Sequence, residues 1–306
     1  VTTYPIRTLA ALRRTWFFVP GADSAAHTAA LRSDADAIVA DLEEMTAPPE
    51  RPRARELIVA LLYGAAGCGA LGAVRINRLE HDGLADLEGV MPGRPHAIFL
   101  PHTETPEQLA ALDAHLGALE QRYGIGHGAT EIVPTIESAA GLTRLAALLA
   151  SSPRIRYCML ASEDLAASLG ARRTPGGDEL LHARSRFLLD TIAAGCHPID
   201  LPCTYRADAV LLRDMERSTQ LGFRSKCAVF VEHIDAIHRA LTPSSEDALA
   251  AQMLLDAHRA QQSTGITGAM GWIDAPEANN ARRTLERYEA ANQAAATSRL
   301  AEHKRH

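Results

Sequence analysis

Eight short β-rich runs alternate with longer amphipathic stretches along this 306-residue chain, and that alternation restricts the possible folds more than any other feature. The runs fall at residues 15–19, 37–42, 72–76, 97–101, 131–136, 155–161, 198–202 and 225–231. Between them lie alanine- and leucine-rich stretches with helical spacing, such as 50–62, 106–120, 141–149, 179–194 and 207–221. Parallel neighbours in a sheet need a crossover connection, usually a helix, so strict alternation predicts a parallel sheet. The runs are short and almost continuously apolar, as strands are when helices cover both faces. Eight such units close into a ring, whereas open doubly wound sheets generally use fewer. The expected fold class is α/β, a (β/α)8 TIM-type barrel with a C-terminal helical extension.

The barrel is expected over residues 1–241 and the extension over 242–306. The extension opens at Thr242-Pro-Ser-Ser-Glu-Asp247, where a serine followed by acidic residues suits a helix N-terminus. That helix is expected to run to about Gln262, followed by a glycine-containing stretch, 265–271, and a last helix from about Glu277.

Charge and composition exclude several classes. A formal net charge of −6 gives no electrostatic footprint for nucleic acid or an anionic membrane. No apolar run approaches the ~18 residues that span a bilayer, and residues 1–14 lack the apolar stretch of a secretion signal. The five cysteines (Cys68, Cys158, Cys196, Cys203, Cys227) are odd in number and contain no C-x-x-C pair. That pattern fits reduced thiols in a cytoplasmic protein better than a disulfide framework or a zinc site.

The polar residues concentrate where strands end. Asp41-Leu-Glu43-Glu44 follows the second run, Arg75 and Asn77 sit at the third, and Glu104 follows the fourth. Glu137 follows the fifth, and Glu163 and Asp164 follow the sixth. In barrels of this type catalytic groups stand on the C-terminal face of the strands. Magnesium keeps its waters and takes one or two protein carboxylates plus substrate oxygens, a pair that Glu137 and Asp164 can supply. Arg75 can donate to an oxygen on which negative charge builds. Each residue also has a blander use: an acid just beyond a strand caps the next helix, Asp41 and Glu43 suit a solvated loop, and an arginine there suits a salt bridge at the barrel mouth. Their joint placement favours the chemical use. Gly67-Cys-Gly-Ala-Leu-Gly72 matches G-x-G-x-x-G, but these glycines follow a helix and lead into a strand, the reverse of a dinucleotide-binding turn.

With those residues in view, the chain resembles the family of citrate lyase beta subunits and their relatives, the malyl-, citramalyl- and citryl-CoA lyases. The matching pieces run from Arg14 to Pro276: Arg14-Thr-Trp-Phe-Phe-Val-Pro-Gly21, Asp41-Leu-Glu-Glu44, Val74-Arg-Ile-Asn77, Leu100-Pro101 with Glu104, and Ile136-Glu-Ser138. Ser162-Glu-Asp-Leu165, Gly222-Phe223 with Lys226, Pro243-Ser244 and Ile273-Asp274 continue the order. The resemblance implies a TIM-type barrel, a magnesium (or manganese) ion on Glu137 and Asp164, and a homotrimer or homohexamer. It implies Arg75 as the substrate- and enolate-binding arginine, and Asp274 as an aspartate that reaches a neighbouring subunit's site to move a proton. Asp41 is expected beside them as a catalytic residue, with Pro20, Glu44 and Asn77 joining Arg75 in contact with substrate. The implied reaction is reversible carbon–carbon cleavage of a small hydroxy-acyl thioester into an acyl thioester, on CoA, and a 2-oxo acid.

The sequence departs from the family pattern at Glu44 (usually Asp), His102 (usually Lys), Ala161 (usually Gly) and Val229-Phe230-Val231 (usually Ile-His-Pro). The changed loop after the eighth strand leaves open a metal-dependent aldolase acting on free 2-oxo acids, a thioesterase, or a non-catalytic metabolite-binding member.

Overall fold

A computed structural model of the chain describes residues 13–264 and 271–303. The strands are β1 (Thr15–Pro20), β2 (Ala37–Asp41), β3 (Leu71–Arg75), β4 (Ala97–Leu100), β5 (Glu131–Ile136), β6 (Tyr157–Leu160), β7 (His197–Ile199) and β8 (Lys226–Ala228). Each pairs in parallel with the next up to β7, and β1 pairs with β8. The seam between β7 and β8 is closed by one parallel bridge, Asp200 to Lys226. The expected α/β barrel is the observed one, with β7 and β8 trimmed to three residues each.

Helices α1 (Ser24–Arg32), α2 (Arg51–Cys68), α3 (Leu84–Val90), α4 (Pro106–Arg122), α5 (Ala139–Thr143) and α6 (Leu145–Leu149) return the chain between the first six strands. They are followed by α7 (Glu163–Ser168), α8 (Leu181–Ala193), α9 (Asp208–Leu221) and α10 (Ile234–Leu241). Then come α11 (Ser245–Thr264) and α12 (Ala275–His303). Residues 265–270 of the glycine-containing stretch lie outside the described residues. The G-x-G-x-x-G match is structural: Gly69 ends α2 in the left-handed conformation (φ 81°), which glycine adopts without penalty, and Gly72 lies in β3.

Alternating side chains divide the core into two shells. Trp16, Phe18, Val39, Phe99, Val133, Tyr157, Met159 and Ile199 fill the inside of the ring, while Phe17, Val19, Ile38, Val74 and Ile98 face the helices. Trp16 meets Phe99 and Tyr157 edge-on at centroid distances of 5.3 and 5.2 Å, and its indole N–H donates to Ser225 Oγ at 2.9 Å. The interior is packed, so chemistry is displaced to the ends of the strands.

Buried charge fixes the seam. Lys226 Nζ is fully buried and lies 3.2 Å from Asp200 Oδ2, 2.6 Å from Asp214 Oδ2 and 2.7 Å from the Leu201 carbonyl. Arg184 donates to Asp200 (Nε–Oδ1 2.7 Å) and to Asp214 (Nη1–Oδ1 2.8 Å). Two cations and two anions, each hydrogen-bonded, are what makes their burial tolerable.

The helices α11 and α12 form a hairpin with its own small core of Ala251, Leu255, Ala278 and Ala281. The hairpin meets the barrel where Arg287 donates to the carbonyl of Leu241, at the end of α10. Barrel helices run opposite to the strands, so this contact lies by the strands' N-terminal ends. Among the described residues no helix is long and apolar enough to cross a membrane.

Candidate active site

Strand parity determines which polar residues reach the barrel mouth. Side chains alternate in direction, so the inward series Ala37, Val39 continues to Asp41, Leu71, Ala73 to Arg75, and Val133, Thr135 to Glu137. Asp41 and Arg75 are directly opposite in the β2–β3 register. The turn after β1 holds the rim in place: Gly21 N donates to the Asp41 carbonyl at 3.0 Å and to Thr46 Oγ1 at 2.9 Å. A Cβ at position 21 would stand 3.0 Å from that carbonyl and 3.1 Å from Thr46 Oγ1, so a side chain there would press on the rim.

Arg75 is gripped from two sides. Its Nε and Nη2 meet Asp41 Oδ1 and Oδ2 at 2.8 and 2.5 Å, and its Nη1 lies 3.1 Å from Glu43 Oε2. Asp41 is itself held by the backbone N–H groups of Glu43 and Met45, at 2.9 and 3.1 Å. Burial opposes the charge on Arg75, but Asp41 and Glu43 outweigh it and raise its pKa, so the guanidinium is permanently charged and rigid.

His102, the residue after Pro101, joins this cluster to Glu137. Its backbone is left-handed (φ 49°), uncommon for a side-chain-bearing residue, and this turn aims its N–H at Glu137 Oε1. Its ring lies 3.3 Å from Glu43 Oε1 through Nε2 and 3.3 Å from Glu137 Oε1 through Nδ1. The hydrogen bond to Glu43 raises the imidazole's pKa. Burial lifts the Glu137 carboxyl to about 7, against the pull of His102 and Arg75.

Asp164 stands in the first turn of α7, just beyond β6, which pairs with β5 at Ile136–Leu160. Ser162 makes no side-chain cap there, and no hydrogen bond or ion pair among the described residues holds the Asp164 carboxylate. Glu163 is used instead, accepting from Arg173 and Thr204. Glu44 is exposed and raised in pKa by desolvation, with repulsion from Glu43, Asp164 and Asp41 opposing the pull of Arg75. Asp41, Glu43, Glu44, Glu137 and Asp164 therefore load one rim with more acid than Arg75, Arg78 and His102 offset.

That excess suits a small hard cation. Among the described residues no three His, Cys, Asp or Glu side chains converge as a complete metal cage. A cation would draw on one or two carboxylates and take its remaining oxygens from water and substrate, which is magnesium's habit. Glu137 and Asp164 fit that requirement: both are oxygen donors, just beyond the neighbouring strands β5 and β6, and among the described residues Asp164 has no other partner.

The remaining expected residues are placed less directly. Pro20 ends β1, and its carbonyl lies 3.0 Å from His27 Nε2. Asn77 is buried, with its amide nitrogen on the Leu42 carbonyl (2.9 Å) and Asp86 Oδ2 (2.8 Å), which anchors the loop after β3. Asp274 is exposed at the start of α12, where its Oδ1 accepts from Glu277 N at 2.9 Å and Glu277 Oε2 accepts from Asp274 N at 3.2 Å. This is a reciprocal helix cap, and no contact among the described residues ties Asp274 to the rim. The sequence reading missed the bridging part of His102 and the anchoring part of Asp86. The spacing Asp274-Ala-Pro-Glu277 was a legible sign of the cap.

Residues 14–230 match the family model described as HpcH/HpaI aldolase/citrate lyase. The chain belongs to this family. Among its relatives, citrate lyase subunit beta of Escherichia coli strain K12 is 30% identical over 282 residues, covering 90% of this chain and 93% of that protein. L-malyl-CoA/beta-methylmalyl-CoA lyase of Cereibacter sphaeroides is 29% identical over 275 residues, covering 82% and 86%. The protein is thus a carbon–carbon lyase of the HpcH/HpaI aldolase/citrate lyase family. In three dimensions it is similar to protein CitE from Mycobacterium tuberculosis in complex with magnesium, acetoacetate and coenzyme A. The TM-score is 0.70 at 24% identity, covering 90% of this chain and 98% of that one, a likeness of fold.

Proposed function

We propose that this family member reversibly cleaves a small hydroxy-acyl thioester of CoA, such as citryl-, citramalyl- or malyl-CoA, into an acyl thioester and a 2-oxo acid, with magnesium or manganese bound. The observation that carries the reading is the buried Arg75, locked by Asp41 and Glu43, on the same rim as the desolvated Glu137 and the unpartnered Asp164. Glu137 and Asp164 would hold the cation, which supplies Lewis-acid polarisation and a template for the carboxylate and adjacent oxygen of the oxo acid.

The side chains account for the rest. Breaking the carbon–carbon bond leaves its electron pair on the thioester fragment as an enolate, and the substrate hydroxyl, giving its proton to solvent, becomes the new carbonyl. Arg75 has five N–H groups; two are committed to Asp41 and Nη1 is ion-paired with Glu43, which leaves N–H groups of both Nη atoms for the enolate oxygen. A donor preorganised in this way is worth ~3–4 kcal/mol of barrier in acyl-transfer enzymes. Asp41 keeps that donor aimed, and His102 keeps Glu137 facing the pocket. Pro20 and Glu44 border the substrate, and Asn77 positions the loop beside it. Asp274 of a neighbouring copy delivers the proton that turns the enolate into an acyl thioester, which makes a homotrimer or homohexamer the working form. The five cysteines are all free, in keeping with a cytoplasmic setting.

A second reading rests on the changed loop after β8. There the Arg206 guanidinium stacks 4.1 Å from the Phe230 ring and pairs with Glu232, a bulky arrangement where a thioester tail would pass. It favours an aldolase acting on free 2-oxo acids. Incubation with citryl-, citramalyl- and malyl-CoA in magnesium separates the two. Release of a 2-oxo acid from at least one supports the thioester lyase, and release from none overturns it.

A further inference from the structure

A cavity of about 590 Å³ lies between the barrel base and the C-terminal hairpin, apart from the catalytic rim. Its walls come from the α9–β8 loop, the end of α10, the turn before α11 and one face each of α11 and α12. Arg224, Arg239 and Arg287 line it together with Thr242, Asn280 and Thr284.

The charge there is unbalanced. Among the described residues none of the three arginines forms an ion pair: Arg224 donates to the Phe223 carbonyl and Arg287 to that of Leu241. The two acids in the wall have local duties. Asp247 accepts from Ser244 N and Oγ at 2.8 and 2.7 Å, and Glu277 accepts from Asp274 N. Other cations add to the field, since Arg14 acts on Arg287, and Arg283 acts on Arg224. The consequence is visible in the protons: desolvation and then repulsion from Arg224 and Arg14 outweigh the attraction of Asp247 and bring Arg287 down to about 10. Arg224 is lowered likewise by desolvation and Arg283. Guanidiniums normally sit against carboxylate or phosphate oxygens, which they bind in a two-point fork. Three that face one cavity with no ion-pair partner among the described residues are short of an anion.

We infer that this cavity is a binding site for a small, multiply charged anion of the polycarboxylate or phosphate class, held by Arg224, Arg239 and Arg287 with Thr242 and Asn280 as neutral partners. Among the described residues the wall has no aromatic ring on which a base could stack, so the ligand is the acid itself rather than a nucleotide. A bound anion would tie the hairpin, through Arg287, to the two barrel segments that carry Arg224 and Arg239.

The test is calorimetric titration of the full-length protein, in chelator and low salt, with tricarballylate in one arm and inorganic pyrophosphate in the other. Chelator removes divalent cations from the rim, so a signal there does not depend on a metal. At least one anion is expected to bind and to raise the melting temperature, with affinity falling as salt rises. The arm that binds tighter identifies the class. Arg224→Gln and Arg239→Gln are each expected to weaken binding about tenfold, and Arg224→Lys less. Arg239 is an exposed helix residue, so its variant tests the site even where a change at Arg224 disturbs folding. Failure of both anions to bind overturns the inference, as does affinity unchanged in Arg239→Gln and Arg224→Gln.

Discussion

Arg75 and Asp41 stand opposite each other on β3 and β2 and join at two points, Nε to Oδ1 at 2.8 Å and Nη2 to Oδ2 at 2.5 Å. A planar fork meets a planar carboxylate, so the pair fixes direction as well as charge. Lysine cannot reproduce that geometry. Arg75→Lys is expected to lower kcat about 10²–10³-fold with a smaller change in KM, because the lost interaction belongs to the transition state. Steady-state kinetics on the thioester that turns over decides it; a change confined to KM would assign Arg75 to ground-state binding.

The seam between β7 and β8 makes a prediction about stability. Asp200→Asn removes the carboxylate shared by Lys226 and Arg184 and leaves two buried cations with Asp214 alone. Breaking a buried pair from one side costs about 3–5 kcal/mol. Urea unfolding should show that loss as a lower midpoint with an unchanged slope. A loss below about 1 kcal/mol would mean that the cluster adds little beyond a surface pair.

A different pair governs acid sensitivity. Burial pushes the Asp36 carboxyl up, but hydrogen bonds from His238 and Arg14 outweigh it and hold its pKa below the usual carboxylate value. A carboxyl lowered in the folded state contributes its stability above the unfolded value of about 3.9. That contribution disappears as pH falls from there through the folded value. Asp36→Asn should therefore be less stable than the parent near neutrality, with the gap closing below about pH 4. Parallel melts across pH 2–7 check this, and a gap that stays constant would contradict it.

Asp274 makes a prediction about assembly. If it serves a neighbour's rim, Arg75→Lys and Asp274→Asn are each nearly inactive alone, whereas mixed oligomers regain part of the parent rate. In a mixed oligomer some sites pair an intact Arg75 with an intact Asp274. Co-refolding the two variants and assaying the mixture tests it. No gain over either variant would place the proton donor elsewhere.

Most of the barrel was legible because parallel strands covered on both faces leave uninterrupted apolar runs such as Ala37-Ile-Val-Ala40. The last two strands were read too long. Asp200 and Lys226 are polar residues inside those runs, and they close the ring by a single bridge and a buried ion pair rather than by a longer ladder. At the rim, strand ends displayed Asp41, Arg75 and Glu137 because the two-residue period carries inward positions past the core. His102 was noticed only as a departure. Its role depends on a left-handed backbone and on contacts to Glu43 and Glu137, 59 and 35 residues away, which no local spacing encodes. The arginine-lined cavity was illegible for the same reason: Arg224, Arg239 and Arg287 come from three separate elements.

Glu137 and Asp164 are proposed to hold a divalent cation together beside Arg75. Titration with Mn2+, followed by loss of the free ion's paramagnetic resonance signal, tests it without relying on turnover. The parent protein should take up Mn2+ at one tight site, and Glu137→Gln/Asp164→Asn should weaken that uptake about a hundredfold while the protein stays folded. Equal affinity in the parent and the double variant would mean that these two carboxylates do not hold the ion.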